Sequence, residues 1–85
     1  MQNDPLMMDF AFIDDTKGKL FLYNDRLIFQ AKRAEREFKL SEIRSVSFEK
    51  KTFVTSTLFV DGLPITVCRA HIWAAKMFSL GAPHK

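Results

Sequence analysis

Cys68 and His71 stand three residues apart, a spacing at which a thiolate and an imidazole can share one metal ion. A structural zinc site takes four ligands, and His84 is the only other imidazole or thiol in the chain. No metal site is therefore expected. Cys68 is expected to behave as a small hydrophobe, buried or half-buried. His71 should face solvent at the start of a helix, and His84 falls in a loose C-terminal tail. No serine stands with a histidine and an acid in a context that would make it a nucleophile. With three glycines in all, the chain has no glycine-rich loop to cradle a phosphate. The expectation is a protein without catalytic residues and without a cofactor.

Binding chemistry is what remains, and composition narrows it. The chain has 85 residues, enough for one domain and one core. Its hydrophobic content of 47% and charged content of 27% are those of a folding chain rather than a disordered one. Nine phenylalanines supply large apolar area with no hydrogen-bond partner to find, which suits a small core. Thirteen basic and ten acidic residues leave a net charge of +3, too slight to imply a polyanion partner. A single cysteine rules out an internal disulfide and points to a reducing compartment. Met1–Phe12 carries Asp4, Pro5 and Asp9 with no basic start, so it does not read as a secretory signal. No apolar run approaches the ~20 residues of a membrane-spanning helix, and the cytoplasm is the expected location.

The elements that must position any binding residues follow from punctuation and period. Asp14–Gly18, Asn24-Asp25 and Asp61-Gly62 are turn signals between short β-rich runs. A two-residue turn at Asn24-Asp25 sets Leu22 opposite Leu27 and Leu20 opposite Phe29, leaving Phe21 and Ile28 together on the other face. A turn at Asp61-Gly62 sets Val60 opposite Leu63 and Leu58 opposite Ile65, with Ser56 and Val67 continuing that face. Leu6–Ile13 reads as a first strand with Met8, Phe10 and Phe12 on one side. Glu37–Leu40 and Arg44–Glu49 read as strands around a corner at Ser41-Glu42-Ile43, and Thr52–Val60 as strand throughout. From Arg69 the period changes: Ala70, Trp73, Met77 and Leu80 form one apolar stripe of a helix that Gly81 and Pro83 end. Leu20, Leu22, Leu27, Phe29, Ile43, Val46, Leu58, Val60, Ile65 and Trp73 are the expected core, with Trp73 anchoring the helix.

Three of these segments carry a resemblance. Gly18-Lys19-Leu20-Phe21-Leu22-Tyr23-Asn24-Asp25-Arg26-Leu27-Ile28-Phe29 resembles the hairpin of GRAM and bacterial pleckstrin-homology-like (PH-like) domains, with Tyr23 where Thr or Ser is usual. Phe38-Lys39-Leu40-Ser41-Glu42-Ile43-Arg44-Ser45-Val46 resembles the corner that follows it. The Asp-Gly hairpin and a Trp-bearing terminal helix complete the order, so the resemblance runs from about Leu6 to Leu80. It implies a mainly β fold: a seven-stranded antiparallel barrel of two packed sheets, plugged by one C-terminal helix. Such domains serve as lipid binders, peptide binders and scaffolds, so the fold leaves function open.

Phosphoinositide-binding members place a Lys at the end of the first strand and a basic-x-Arg pair at the start of the second. Here the first strand ends Phe12-Ile13-Asp14-Asp15 without that Lys, and Lys17-Gly18-Lys19 has Lys in place of Arg. The resemblance also gathers the loops after strands one, three and six at one open end. Their Lys17, Lys19, Lys32, Arg33 and Arg36 face Asp14, Asp15, Glu35 and Asp61, nearly cancelling. Phosphoinositide binding is thus expected to be weak or absent, with Lys17, Lys19, Lys32 and Arg33 as the lipid contacts if a membrane surface is bound. Nucleic acid is not expected, because Lys32–Lys39 alternates basic residues with Glu35 and Glu37. The leading expectation is a non-catalytic module that binds a protein or itself, through Phe21, Ile28, Phe53 and Phe59 on outward strand faces and through open sheet edges.

Overall fold

The computed structural model describes residues 4–50 and 56–82. The described residues form seven antiparallel strands, β1 (Met7–Ile13), β2 (Thr16–Leu22), β3 (Arg26–Ala31), β4 (Glu35–Lys39), β5 (Val46–Lys50), β6 (Ser56–Val60) and β7 (Leu63–Val67), followed by α1 (Ala70–Ser79). A 3-10 turn at Leu40–Glu42 makes the corner between β4 and β5. Phe53 and the first half of the expected Thr52–Val60 strand, like His84 and Pro83, lie outside the described residues.

All seven strands belong to one sheet, in the order β4-β3-β2-β1-β7-β6-β5, instead of the two packed sheets expected. The reason lies in β1. It pairs with β2 along its whole length and with β7 through Ala11–Val67 and Phe12–Thr66. Backbone hydrogen bonds therefore join the two halves into a continuous, curled half-barrel. The sheet keeps two outer strands, β4 and β5.

Two of the three expected turns use left-handed residues, and the third, at Asn24-Asp25, uses none and is closed by the Tyr23 N–H donating to the Arg26 carbonyl at 2.8 Å. Asp14 and Asp15 adopt φ 51° and 65°, and Asp61 and Gly62 adopt 53° and 84°. Paired left-handed residues give the turn twist that matches a twisted hairpin, and Asp and Gly tolerate it best. Both registers fall as the sequence predicts: Leu22–Leu27 and Leu20–Phe29 pair across β2–β3, and Val60–Leu63 and Leu58–Ile65 across β6–β7. Gly18 differs from expectation. It lies inside β2, not in the turn, because a Cβ there would sit 2.6 Å from the Gln30 carbonyl oxygen and 2.7 Å from the Phe29 ring. It is a glycine of close approach. β5 begins at Val46, not Arg44, because the Arg44 and Ser45 N–H groups donate to the Asp61 carboxylate at 2.7 and 3.0 Å. Asp61 thus fixes its own turn and the corner beside it.

Side chains on the concave face form one core. All ten expected core residues are buried, joined by Ala11, Ile13, Leu40, Val67 and the helix residues Ala70, Ala74 and Met77. The helix packs on β5 and β6. A three-turn helix is marginal alone, so that docking sets its stability. Its C-terminus is closed by a Schellman motif: Gly81 at φ 103° donates to the Phe78 carbonyl, and Ala82 to that of Met77, both at 3.0 Å. Its N-terminus has no local side-chain cap. Instead, the buried Ser56 hydroxyl on β6 accepts the Ala70 N–H at 2.9 Å and donates to the Val67 carbonyl at 2.5 Å. One hydroxyl therefore ties β6, β7 and the helix start. Ser56→Ala leaves both backbone groups without that partner in the interior, and is expected to cost about 1–3 kcal/mol. Chemical denaturation measures it, and a change within error would mean that the junction holds without the hydroxyl.

Candidate functional site

The convex face of the sheet is where side chains with binding chemistry converge. Strand alternation sends Ala11 and Ile13 of β1 inward and Met8, Phe10 and Phe12 outward. The three outward residues are 49%, 56% and 41% exposed, a row of large apolar side chains on one strand. In β2 the outward set is Lys17, Lys19 and Phe21, and in β3 it is Arg26, Ile28 and Gln30, with Arg26 ion-paired to Asp25 and Glu37. Cross-strand pairing orders them into rows: Phe10–Lys19–Gln30–Glu35 and Met8–Phe21–Ile28–Glu37. Phe12 faces Lys17.

Between the first of these rows and the β3–β4 turn lies an open depression of about 310 Å³, lined by Phe10, Lys17, Lys19, Gln30 and Lys32 among others. Gly18 pairs with Ala31, so Lys17 and Lys32 are one step further along the same ladder. The Lys17 ammonium sits 5.6 Å above the Phe10 ring, within cation–π range. No acidic residue lines this depression. Among the described residues, ion pairs form at Arg26 and Arg69, and none engages Lys17, Lys19 or Lys32.

The charges tallied from the loops are thus sorted by the fold. Lys17 and Lys19 are strand residues of one face, and Lys32 joins them. Arg33 is exposed and does not line the depression. Arg36 shares a separate hollow of about 180 Å³ with Asp14, and Asp61 is held by the corner amides. Glu35 stands opposite Gln30, outside the lining. The near-cancelling total therefore conceals a local excess of three cations.

The expected apolar contacts divide differently. Phe21 and Ile28 are directly opposed on the convex face and half-buried, while the fully outward apolar row is that of β1. Phe59 is half-buried and lines a hollow of about 270 Å³ with Phe48 and Ser47. Sequence reasoning placed Met8, Phe10 and Phe12 on one face but did not single them out. The available signal was that Met8, Phe10 and Phe12 are large and apolar while the alternate row already supplies Ala11 and Ile13 for the core, so one of the two rows had to face outward.

The other candidates are placed as follows. Cys68 is exposed, not buried, since it follows Val67 outward at the end of β7. His71 is exposed, with its ring 6.4 Å from that of Phe48. No group of three or more His, Cys, Asp or Glu residues among the described residues is arranged to hold a metal. Among the described residues, no helix is long and apolar enough to cross a membrane.

No protein-family model matches the chain, and no curated protein matches it. Among solved structures, it is similar to the C-terminal domain of an unknown protein from Leishmania infantum, with a TM-score of 0.63 and 20% identity over 92% of this chain and 84% of that one. At that identity the likeness is one of fold: a mainly β chain whose single curled sheet is completed by a C-terminal helix.

Proposed function

We propose that this chain is a non-catalytic interaction module of PH/GRAM-like fold that binds another protein through the convex face of β1–β3. The PH/GRAM-like reading is supported by the order of its segments: the Gly18–Phe29 stretch spans β2 and β3, the Phe38–Val46 stretch spans the corner, and the Trp73 helix comes last. The observation that carries the functional reading is the exposed row Met8, Phe10 and Phe12 beside the lysines of β2. Scattered apolar residues are ordinary on protein surfaces, but a contiguous apolar row with a polar rim marks a contact site.

A partner of a different kind is favoured over a second copy. The outer strand β4 carries Glu35, Arg36, Glu37 and Lys39, all exposed, and charge on an edge strand resists pairing with another edge. The cluster of Lys17, Lys19 and Lys32 is repeated in every copy, so two such clusters placed face to face repel.

A photocrosslinking residue at position 10, compared with one at exposed Glu42, tests the reading. The expected result is one identified protein crosslinked from position 10 alone, whose purified form binds the chain and loses affinity on Phe10→Ser. Equal adducts from both positions would contradict it.

A membrane-surface module is the second reading, favoured by the clustering of Lys17, Lys19 and Lys32 beside Phe10. It predicts co-sedimentation with anionic vesicles at physiological salt that Lys17→Ala reduces. The missing Lys at the end of β1 keeps the expectation of weak or absent phosphoinositide selectivity.

A further inference from the structure

Resting on the protein-interaction reading, we propose that the depression beside Phe10 takes an acidic, extended peptide segment of the partner. Its carboxylates would lie over Lys17, Lys19 and Lys32, with an apolar side chain against the Phe10 ring. Charge complementarity is the first support. Three ammonium groups border one depression with no acid in its lining and no ion pair to any of them among the described residues. Lys17 and Lys32 both line the depression just beyond the last β2–β3 pair, Gly18–Ala31, where an intervening anion relieves the repulsion of like charges.

Spacing is the second support. Lys17 and Lys19 alternate on one face of β2, so their side chains repeat at about 7 Å, the same repeat as alternate side chains of an extended peptide. A segment of the pattern acid-x-acid running along β2 meets both lysines without bending. The exposed Phe10 ring supplies the apolar contact that a purely ionic encounter lacks. Gln30, also in the lining, can donate to or accept from the peptide backbone. A second copy stacked cluster on cluster does not fit this chemistry, since it would set lysines against lysines.

The test uses the full chain and a fluorescein-labelled peptide of alternating glutamate and serine with one central leucine. A counterpart with lysine for glutamate and phosphatidylserine vesicles are titrated in parallel. The expected result is binding of the acidic peptide only, weakening as salt rises and roughly tenfold weaker for Lys19→Glu. Lys19→Gln should weaken it less, and Phe10→Ser should weaken it without changing the salt slope. Exposed positions keep these variants folded, which the thermal midpoint verifies. Acidic and basic peptides binding alike, indifference to Lys19→Glu, or preferential binding to the vesicles would each overturn the proposal. The broader reading fails separately. A partner crosslinked at position 10 whose affinity survives Lys19→Glu leaves the module a protein binder and removes the acidic segment.

Discussion

Trp73→Ala is expected to destabilise the protein by about 3–5 kcal/mol, because it removes the largest fully buried side chain and leaves a cavity under the helix. For a domain of this size that loss lowers the melting temperature by well over about 10 °C. The indole also carries a buried Nε1–H with no hydrogen-bond partner among the described residues. That group contributes nothing favourable to offset its desolvation. Trp73→Phe discards the orphan donor and keeps most of the ring, so it should cost far less than Trp73→Ala. Calorimetry of the two variants separates packing from polarity. Equal losses would mean that the indole N–H has a stabilising role, and no loss in either would mean that the helix is not docked through this residue.

Gly18→Val is expected to cost about 3 kcal/mol, although valine is a better strand residue than glycine. Its Cβ would meet a backbone oxygen, that of Gln30, at 2.6 Å, and the ring of Phe29 at 2.7 Å. The ring can turn, but the carbonyl belongs to the β2–β3 ladder, so the two strands must separate. Lys17 and Lys19 flank this position, and Gln30 and Lys32 stand across from them. The substitution should therefore spread the basic cluster as it destabilises the sheet. Equilibrium unfolding reads the first effect, and a stability at or above that of the parent would show that the strands are free to adjust.

What the sequence disclosed and what it withheld follow one physical distinction. The hairpins at Asn24-Asp25 and Asp61-Gly62 were legible because turn type sets register locally, and alternation then assigns each face. The helix was legible because Ala70, Trp73 and Met77 repeat at helical spacing and Gly81 stands at its end. Gly18 was misplaced into a turn because its requirement comes from Phe29 and Gln30, which reach it only across the sheet. The joining of the two halves into one sheet depends on β1 meeting β7, a pairing of residues more than fifty apart in sequence. The site was hidden for the same reason. Lysines at 17, 19 and 32 look like loop charges balanced by loop acids until the ladder sorts them by face. The excess of cations exists only on the folded surface.

The most direct test of the binding-face account is residue-resolved: backbone amide shifts of the labelled chain, followed by NMR as the acidic peptide is added. The account predicts that saturable shifts concentrate at Phe10, at Lys17 to Lys19 and at Gln30 to Lys32, with β4, β5 and α1 nearly silent. Shifts centred instead on the β5 edge around Phe48, or on the helix around His71, would contradict it.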